Sequence, residues 1–112
     1  MTMRGREAED AAFDYLRKQG LSEIERNYRC RFGEIDLIMR DDETVVFVEV
    51  RKRSSSRFGG ALESIDARKK QKLLTAARHY IASRGAIPDC RFDAVLLNGD
   101  NQIEWIRDAF GE

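Results

Sequence analysis

The sequence predicts a single α/β domain in which helices cover both faces of a central β-sheet. The chain has 112 residues, a length that suits one domain with one core. The second and third predicted strands carry apolar side chains at both alternating sets of positions, and a sheet that is apolar on both faces must be covered on both. Two long helical segments supply that cover, in the order α-β-β-β-α-β-β.

The two predicted helices each end before a glycine, which is a common C-terminal stop. The first begins at residue 3 or 4 and continues to residue 19, before Gly20. The second spans residues 64–84, before Gly85. Both carry an apolar stripe at helical spacing, which predicts that each helix packs on the sheet.

Five strands, separated by polar or glycine-containing segments, complete the predicted domain. They are predicted at residues 22–31, 32–40, 44–51, 91–97 and 102–107. Residues 53–60, between the third strand and the second helix, are rich in serine, glycine and arginine and are predicted to form a loop. No repeat or linker divides the sequence, so residues 1–112 are predicted to form one domain.

The composition and the cysteines favour a cytoplasmic protein. No apolar run approaches the about 20 residues that a membrane helix needs, and no signal-peptide pattern is present. Cys30 and Cys90 form neither a CxxC pair nor a disulfide framework, which argues against zinc and for a reducing compartment. We therefore expect no membrane partner and no small-molecule cofactor.

The charges are balanced in number but uneven along the chain. The sequence has 20 basic and 20 acidic side chains, yet residues 51–84 carry 10 of the basic and only 2 of the acidic ones. A basic centre between acidic flanks attracts polyanions such as nucleic acid, although such segments also occur as ordinary solvated surface.

Two acids on neighbouring strands are the most informative feature. If the second and third strands form a hairpin around Asp42 and Glu43, opposed residues have numbers that sum to 85, which places Asp36 opposite Glu49. Like charges so placed, with Cβ atoms about 4.5–5.5 Å apart, destabilise a sheet unless a cation or a proton lies between them. Oxygen ligands on a rigid hairpin suit Mg²⁺ or Mn²⁺. The alternative is a register shifted by two residues, in which these acids pair with nearby arginines.

Glu9 is a third acid in an unusual position. It lies between Ala12, Phe13 and Leu16 on the helical wheel, at the centre of the apolar stripe of the first helix. A charged residue in such a place needs a partner. Glu9 is predicted either to reach the metal site, directly or through water, or to pair with an arginine or lie in a frayed first turn.

The second helix begins with cations. Lys69 and Lys70 extend its apolar stripe by one turn, whereas Arg68 and Lys72 lie off the stripe. We predict that these cations and the helix N-terminus hold a phosphate backbone near the metal site. The alternative is an ordinary amphipathic helix whose lysines reach to water. His79, the only histidine in the sequence, falls on the exposed side of this helix.

Glu9 on the first helix, residues 33–38 (GEIDLI) and residues 46–51 (VFVEVR) together resemble the pattern of PD-(D/E)XK nucleases. More closely, the chain resembles the YraN-like family of bacterial proteins, which are related to Holliday-junction resolvases, and the resemblance covers nearly the whole chain. It implies a three-layer α/β/α restriction-endonuclease-like fold with a central mixed sheet, whose members cut DNA phosphodiesters.

The resemblance also implies roles for individual residues. Asp36 and Glu49 would ligate the metal with the help of the Val50 carbonyl, and Glu9 would assist through water. Arg51 stands where the superfamily usually has its catalytic lysine. An arginine keeps the charge and can grip a phosphate, but its pKa of about 12.5 or more makes it a poor proton shuttle.

Arg51 leaves two hypotheses open. Lys69 or Lys70 reaches the site from the second helix and supplies the missing amine, or Arg51 is locked against Glu34 across the hairpin and takes no part in chemistry.

The sequence therefore predicts a Mg²⁺- or Mn²⁺-dependent DNA endonuclease, and the resemblance suggests branched or structured DNA as the substrate and a homodimer as the working form. The cations expected to contact DNA are Lys52, Arg53, Arg57, Lys69, Lys70 and Lys72. One alternative, favoured by Arg51, is a nucleic-acid-binding protein that kept the fold and lost the chemistry. Another is an interaction domain that binds no nucleic acid.

Overall fold

The computed structural model describes residues 2–52, 66–85, 89–98 and 102–110. These residues form helices and strands in the predicted order α-β-β-β-α-β-β. The elements are α1 (Thr2–Lys18), β1 (Ser22–Cys30), β2 (Gly33–Asp41), β3 (Thr44–Lys52), α2 (Ala67–Arg84), β4 (Cys90–Leu97) and β5 (Ile103–Phe110). Neither described helix is long and apolar enough to cross a membrane.

Helix α2 begins three residues later than predicted, because Asp66 caps it. The Asp66 backbone is extended (φ −78°, ψ 179°), and its side chain accepts a hydrogen bond of 2.9 Å from the backbone amide of Lys69. This bond satisfies one of the amides that a helix start leaves without a backbone partner. At the other end Gly85 is left-handed (φ 78°), so the predicted glycine stop is confirmed.

The five strands form one mixed sheet in the order β1-β2-β3-β4-β5. β1, β2 and β3 form an antiparallel meander, and β5 is antiparallel to β4. β3 and β4 run parallel, a pairing that needs a long crossover connection. That connection contains α2. The predicted α/β class with a mixed sheet is therefore confirmed.

Buried side chains form two clusters, which explains why β3 is apolar at every position from Val45 to Val48. The cluster that contains α2 includes Phe47 of β3, whereas the cluster that contains α1 includes Val46 and Val48 of the same strand. Neighbouring residues of a strand point to opposite faces of the sheet, so the two helices use alternate side chains of β3. Burial of each such side chain stabilises the fold by about 1.5–3 kcal/mol.

The β2–β3 hairpin has the predicted register. Backbone pairs extend from Asp41↔Thr44 to Leu37↔Val48, and both pairs have residue numbers that sum to 85. The alternative register, shifted by two residues, is therefore wrong. Asp42 in the turn has a positive φ of 60°, a conformation that aspartate tolerates better than most residues.

A buried carboxylate ties the last strand to the sheet. Asp93 is 0% exposed, and it accepts hydrogen bonds from Arg91 (3.0–3.2 Å), from the Trp105 indole (2.9 Å) and from the Asp108 amide (2.9 Å). Arg91 also pairs with Asp41 at 2.9 Å, so one guanidinium links β2 and β4. Because each oxygen of Asp93 has donors, this buried charge is compensated. We assign this network to structure.

Candidate functional site

The acid pair lies where β2 and β3 stop pairing through their backbones. The ladder of this hairpin ends at Leu37↔Val48. One residue further along β2, the Oδ2 atom of Asp36 accepts a hydrogen bond of 2.9 Å from the backbone amide of Val50. The Asp36 carboxyl thus accepts a hydrogen bond from an amide of the neighbouring strand, as backbone carbonyls do elsewhere in the ladder. This contact holds Asp36 against the segment of β3 that carries Glu49.

Two cations face the second acid of the pair. Glu49 is only 4% exposed, and its Oε2 atom lies 3.4 Å from Arg51 Nε and 3.7 Å from Lys69 Nζ. Of the two lysines proposed to reach the site, Lys69 therefore contacts it. The proposed lock between Arg51 and Glu34 is wrong. The Glu34 carboxylate instead lies 3.1 Å from Arg29, because the β2–β3 ladder ends before it reaches Glu34.

Burial raises the pKa of both acids of the pair. Burial raises the pKa of Asp36 most, the negative charge of Glu49 raises it further, and together they bring it to about 7, although the Val50 amide and Lys69 act in the opposite direction. Burial also raises the pKa of Glu49, against the lowering effect of Lys69 and Arg51. Two adjacent carboxyls that hold a proton near neutral pH form a site that a divalent cation can occupy in its place.

Glu9 lies on α1, close enough to the acid pair to be influenced by the charge of Asp36. Burial raises the pKa of Glu9, and the charge of Asp36 raises it further, while a hydrogen bond with Asn27 and the charge of Arg26 lower it. Arg26 itself pairs with Asp10 at 2.6 Å. Within residues 2–52 and the other described segments, no three His, Cys, Asp or Glu side chains converge closely enough to hold a metal ion. The metal-site role of Glu9 stays a prediction.

Asn27 is a site neighbour that the sequence did not single out. Its φ is +54°, a left-handed conformation in which asparagine is strongly over-represented. It lies in β1 between the backbone pairs Arg26↔Leu37 and Tyr28↔Ile35. Because β1 also carries Glu25, Arg26 and Arg29, a polar residue there gives no signal in the sequence, and the hydrogen bond to Glu9 appears only in the fold.

The residues present fit a Mg²⁺ or Mn²⁺ ion better than a softer metal. Asp36 and Glu49 offer carboxylate oxygens and no sulfur or imidazole, and these hard ligands suit such ions. The structure joins Val50 to the site through its amide, so the predicted role of its carbonyl stays a prediction. Arg51 Nε is buried and makes no hydrogen bond with the described residues; its contact in the site is the ion pair with Glu49 at 3.4 Å.

The cations predicted to contact DNA occupy different places. Lys70 turns toward β5, with its Nζ atom 5.8 Å from the centre of the Phe110 ring. Lys72 is exposed beside Arg68 on α2 and lines a surface pocket with it. Lys52 is exposed at the end of β3. The two remaining residues, Arg53 and Arg57, lie outside the described residues.

Fold and site together define an α/β protein with a five-stranded mixed sheet and a pair of carboxyls, one buried and one half-buried, on adjacent strands. A model of the family described as "Uncharacterised protein family UPF0102" matches residues 8–97, and the chain belongs to this family. The expected membership of the YraN-like family is thereby confirmed.

Relatives with the same family name match almost end to end. A UPF0102 protein of Nitrosomonas europaea is 60% identical over 111 residues, which cover 97% of this chain and 94% of the relative. A UPF0102 protein of Methylobacillus flagellatus is 56% identical over 112 residues, with 98% of each chain covered. One from Nitrosospira multiformis is 54% identical over 112 residues, which cover 98% of this chain and 94% of the relative.

Proposed function

We propose that this protein is a Mg²⁺- or Mn²⁺-dependent DNA endonuclease of the PD-(D/E)XK type, with the three-layer α/β/α restriction-endonuclease-like fold. The observation that carries the proposal is the pair of Asp36, which is half-buried, and Glu49, which is buried, on adjacent strands, with Lys69 at 3.7 Å from Glu49. Soluble domains rarely bury two adjoining acids without a purpose, because each carries a desolvation cost and they repel each other. Strongly perturbed carboxyls are also characteristic of functional sites.

The chain's own residues divide the work of the proposed reaction. Asp36 and Glu49 would hold the metal, with the Val50 carbonyl as a further ligand and Glu9 acting through water. When bound, the ion would lower the pKa of the attacking water and offset charge that develops on the phosphate. Arg51, whose Nε atom lies 3.4 Å from Glu49, would contact the phosphate as a fixed positive charge.

Lys69 compensates for the arginine at position 51. An arginine presents a rigid planar fork of donors, whereas a lysine carries a compact ammonium with three donors on a flexible stem, which can orient a water or a leaving group. Lys69 projects from the first turn of α2 and places its amine at the acid pair. We assign to it the positioning of the water or the leaving group that the usual strand lysine performs.

A cleavage assay tests the proposal. Labelled duplex, single-stranded and four-way DNA are incubated with wild type, Asp36→Asn and the control Asp14→Asn, in Mg²⁺ and in Mn²⁺. Asp14 is exposed on α1, so its substitution removes one carboxylate without touching the pair. We expect cutting by wild type and by Asp14→Asn, and none by Asp36→Asn. Equal cutting by all three would point to a contaminating nuclease, and no cutting of any substrate would refute the proposal.

The second candidate is a nucleic-acid-binding protein that retains the fold without the chemistry. Arg51 favours it, because its guanidinium pairs with Glu49 and can replace a metal as the neutralising charge. A calorimetric titration with Mn²⁺ separates the two. If the protein is a nuclease, wild type binds Mn²⁺ and Asp36→Asn does not. If it only binds nucleic acid, neither wild type nor Asp36→Asn takes up the ion at the acid pair, and both bind DNA equally well.

A further inference from the structure

A second feature lies near the acid pair, at the tight turn between β1 and β2. The turn consists of Arg31 and Phe32, and Phe32 is the large hydrophobic side chain that stands exposed among the described residues, at 37%. Gly33 follows with φ +146°, a conformation that favours glycine. A Cβ atom added there would lie 3.6 Å from the Cβ atom of Lys72. The turn is therefore held close against α2.

Phe32 and α2 form a pocket of about 360 Å³, which we call the Phe32 pocket. Its lining consists of Phe32, Arg68, Gln71, Lys72 and Thr75. Two of these side chains are cations and none is acidic, and the ion pairs among the described residues involve neither cation. An exposed aromatic ring beside two available cations is complementary to a flat base that carries phosphates.

The Phe32 ring is held in place by its neighbours. The His79 ring lies 5.7 Å away at an angle of 60°, and the Nδ1 atom of His79 is 2.7 Å from the Tyr28 hydroxyl. His79 is thus exposed, as expected, and is also fixed by a hydrogen bond. The guanidinium of the exposed Arg31 lies 5.1 Å from the ring centre. An aromatic ring positioned in advance loses little conformational entropy when a ligand stacks on it.

We propose that the Phe32 pocket binds an unpaired nucleotide, with the base stacked on Phe32 and the flanking phosphates against Arg68 and Lys72. The inference rests on the proposed function, because it narrows the substrate class to DNA that contains a single-stranded segment. Lys72 lies one helical turn beyond Lys69, and Lys69 contacts Glu49 of the acid pair. A strand that follows α2 from the pocket therefore leads toward the acid pair. Duplex DNA keeps its bases stacked and offers this surface its phosphates alone.

The test is binding in EDTA, where metal-dependent cleavage cannot occur. Anisotropy of a labelled oligo-dT of about 12 nucleotides and of a duplex of equal length is measured over a range of salt concentrations. Phe32→Ala should weaken oligo-dT binding by about 5- to 100-fold, Phe32→Trp should preserve it, and duplex binding should change by less than about twofold.

Salt dependence separates stacking from charge. Phe32→Ala should leave the slope of log K against log salt unchanged, because it removes no cation. The double variant Arg68→Ala/Lys72→Ala should reduce that slope by about 1.4, at about 0.7 for each lost phosphate contact. Lys18→Ala, which removes an exposed cation at the end of α1, is the matched control and should leave both affinity and slope unchanged.

Several results would overturn the inference. Among them are equal oligo-dT affinity for wild type and Phe32→Ala, and equal losses on oligo-dT and duplex. If Phe32→Ala changes the molecular mass measured by sedimentation and leaves oligo-dT affinity intact, the pocket is instead a contact between copies of the chain. Duplex binding retained by Phe32→Ala excludes misfolding as the cause of its loss on oligo-dT. The binding assay contains no metal, so its result does not depend on cleavage. If oligo-dT binding depends on Phe32 but the protein cuts no DNA in the cleavage assay, the nuclease proposal is refuted and the proposed role of the Phe32 pocket is supported.

Discussion

Replacing Asp36 by asparagine should stabilise the metal-free protein above neutral pH. The pKa of this carboxyl is raised from 3.8 to about 7, first by burial and then by the charge of Glu49. An asparagine in the same place carries no charge at any pH. Its amide oxygen can accept the Val50 hydrogen bond of 2.9 Å, and its NH₂ group can donate to Glu49. The substitution therefore preserves the contacts and removes the repulsion.

The sign and the size of the effect follow from proton linkage. Between about pH 4 and pH 7 the folded state holds a proton on Asp36 that the unfolded chain has released. The contribution of this group to stability is therefore complete below pH 3.8 and is lost as the pH rises through about 7. One pKa unit corresponds to about 1.4 kcal/mol. A rise from 3.8 to about 7 thus removes about 4 kcal/mol of the free energy of unfolding.

The free energy of unfolding is measured by urea titration in EDTA, followed by circular dichroism. The titration is repeated at several pH values between about 5 and 8. The advantage of Asp36→Asn over wild type should grow with pH. The control Asp14→Asn, an exposed position on α1, should track the wild type at every pH. Parallel curves for wild type and Asp36→Asn over this range would refute the assignment of the buried proton to this pair.

Three further predictions address the core, the buried network and the lysine. Phe47→Ala should lower the free energy of unfolding by about 3–5 kcal/mol, because Phe47 is 2% exposed; a loss below about 1 kcal/mol in urea would contradict the described packing. Asp93→Ala should cost about 3–5 kcal/mol, because it leaves Arg91, the Trp105 indole and the Asp108 amide beside an empty acceptor position; an unchanged midpoint in urea would contradict the described network. In the cleavage assay, Lys69→Met should reduce the rate by about 100-fold or more. Lys70 is the matched neighbour directed toward β5, and the rate of Lys70→Met should stay within about threefold of wild type. Equal losses in the two variants would show that only the charge of the helix matters.

The sequence predicted the hairpin register because short-range chemistry determines it. Asp42 and its neighbours form a tight turn, and that turn sets which residues of β2 and β3 face each other. The end of the ladder was not predictable in the same way. It depends on the Asp36 side chain taking the Val50 amide, a contact that no periodic pattern encodes. The expectation that Arg51 pairs with Glu34 failed for this reason, since it extended a regular ladder past the point where it stops.

Long-range contacts account for the remaining differences. The sequence predicts the start of α2 three residues before the observed start at Ala67. The reason is that an aspartate N-cap such as Asp66 differs from other polar residues only through the hydrogen bond of its side chain to the first turn. The sequence does not predict a role for Phe32, because a lone aromatic residue in a turn carries no periodic signal. Its proposed role depends on Arg68 and Lys72, which are distant in sequence and line the same pocket.

The parallel pairing of β3 with β4 has a consequence for how the chain folds. β1, β2 and β3 pair with sequence neighbours, but the β3–β4 ladder joins residues as far apart as Val45 and Cys90. Closing so large a loop is entropically costly and therefore slow. Lys69 lies within that loop, so we expect the meander to form while Glu49 still lacks its lysine. Substitutions in the β2–β3 turn should then slow folding, and those in β4 should mainly speed unfolding.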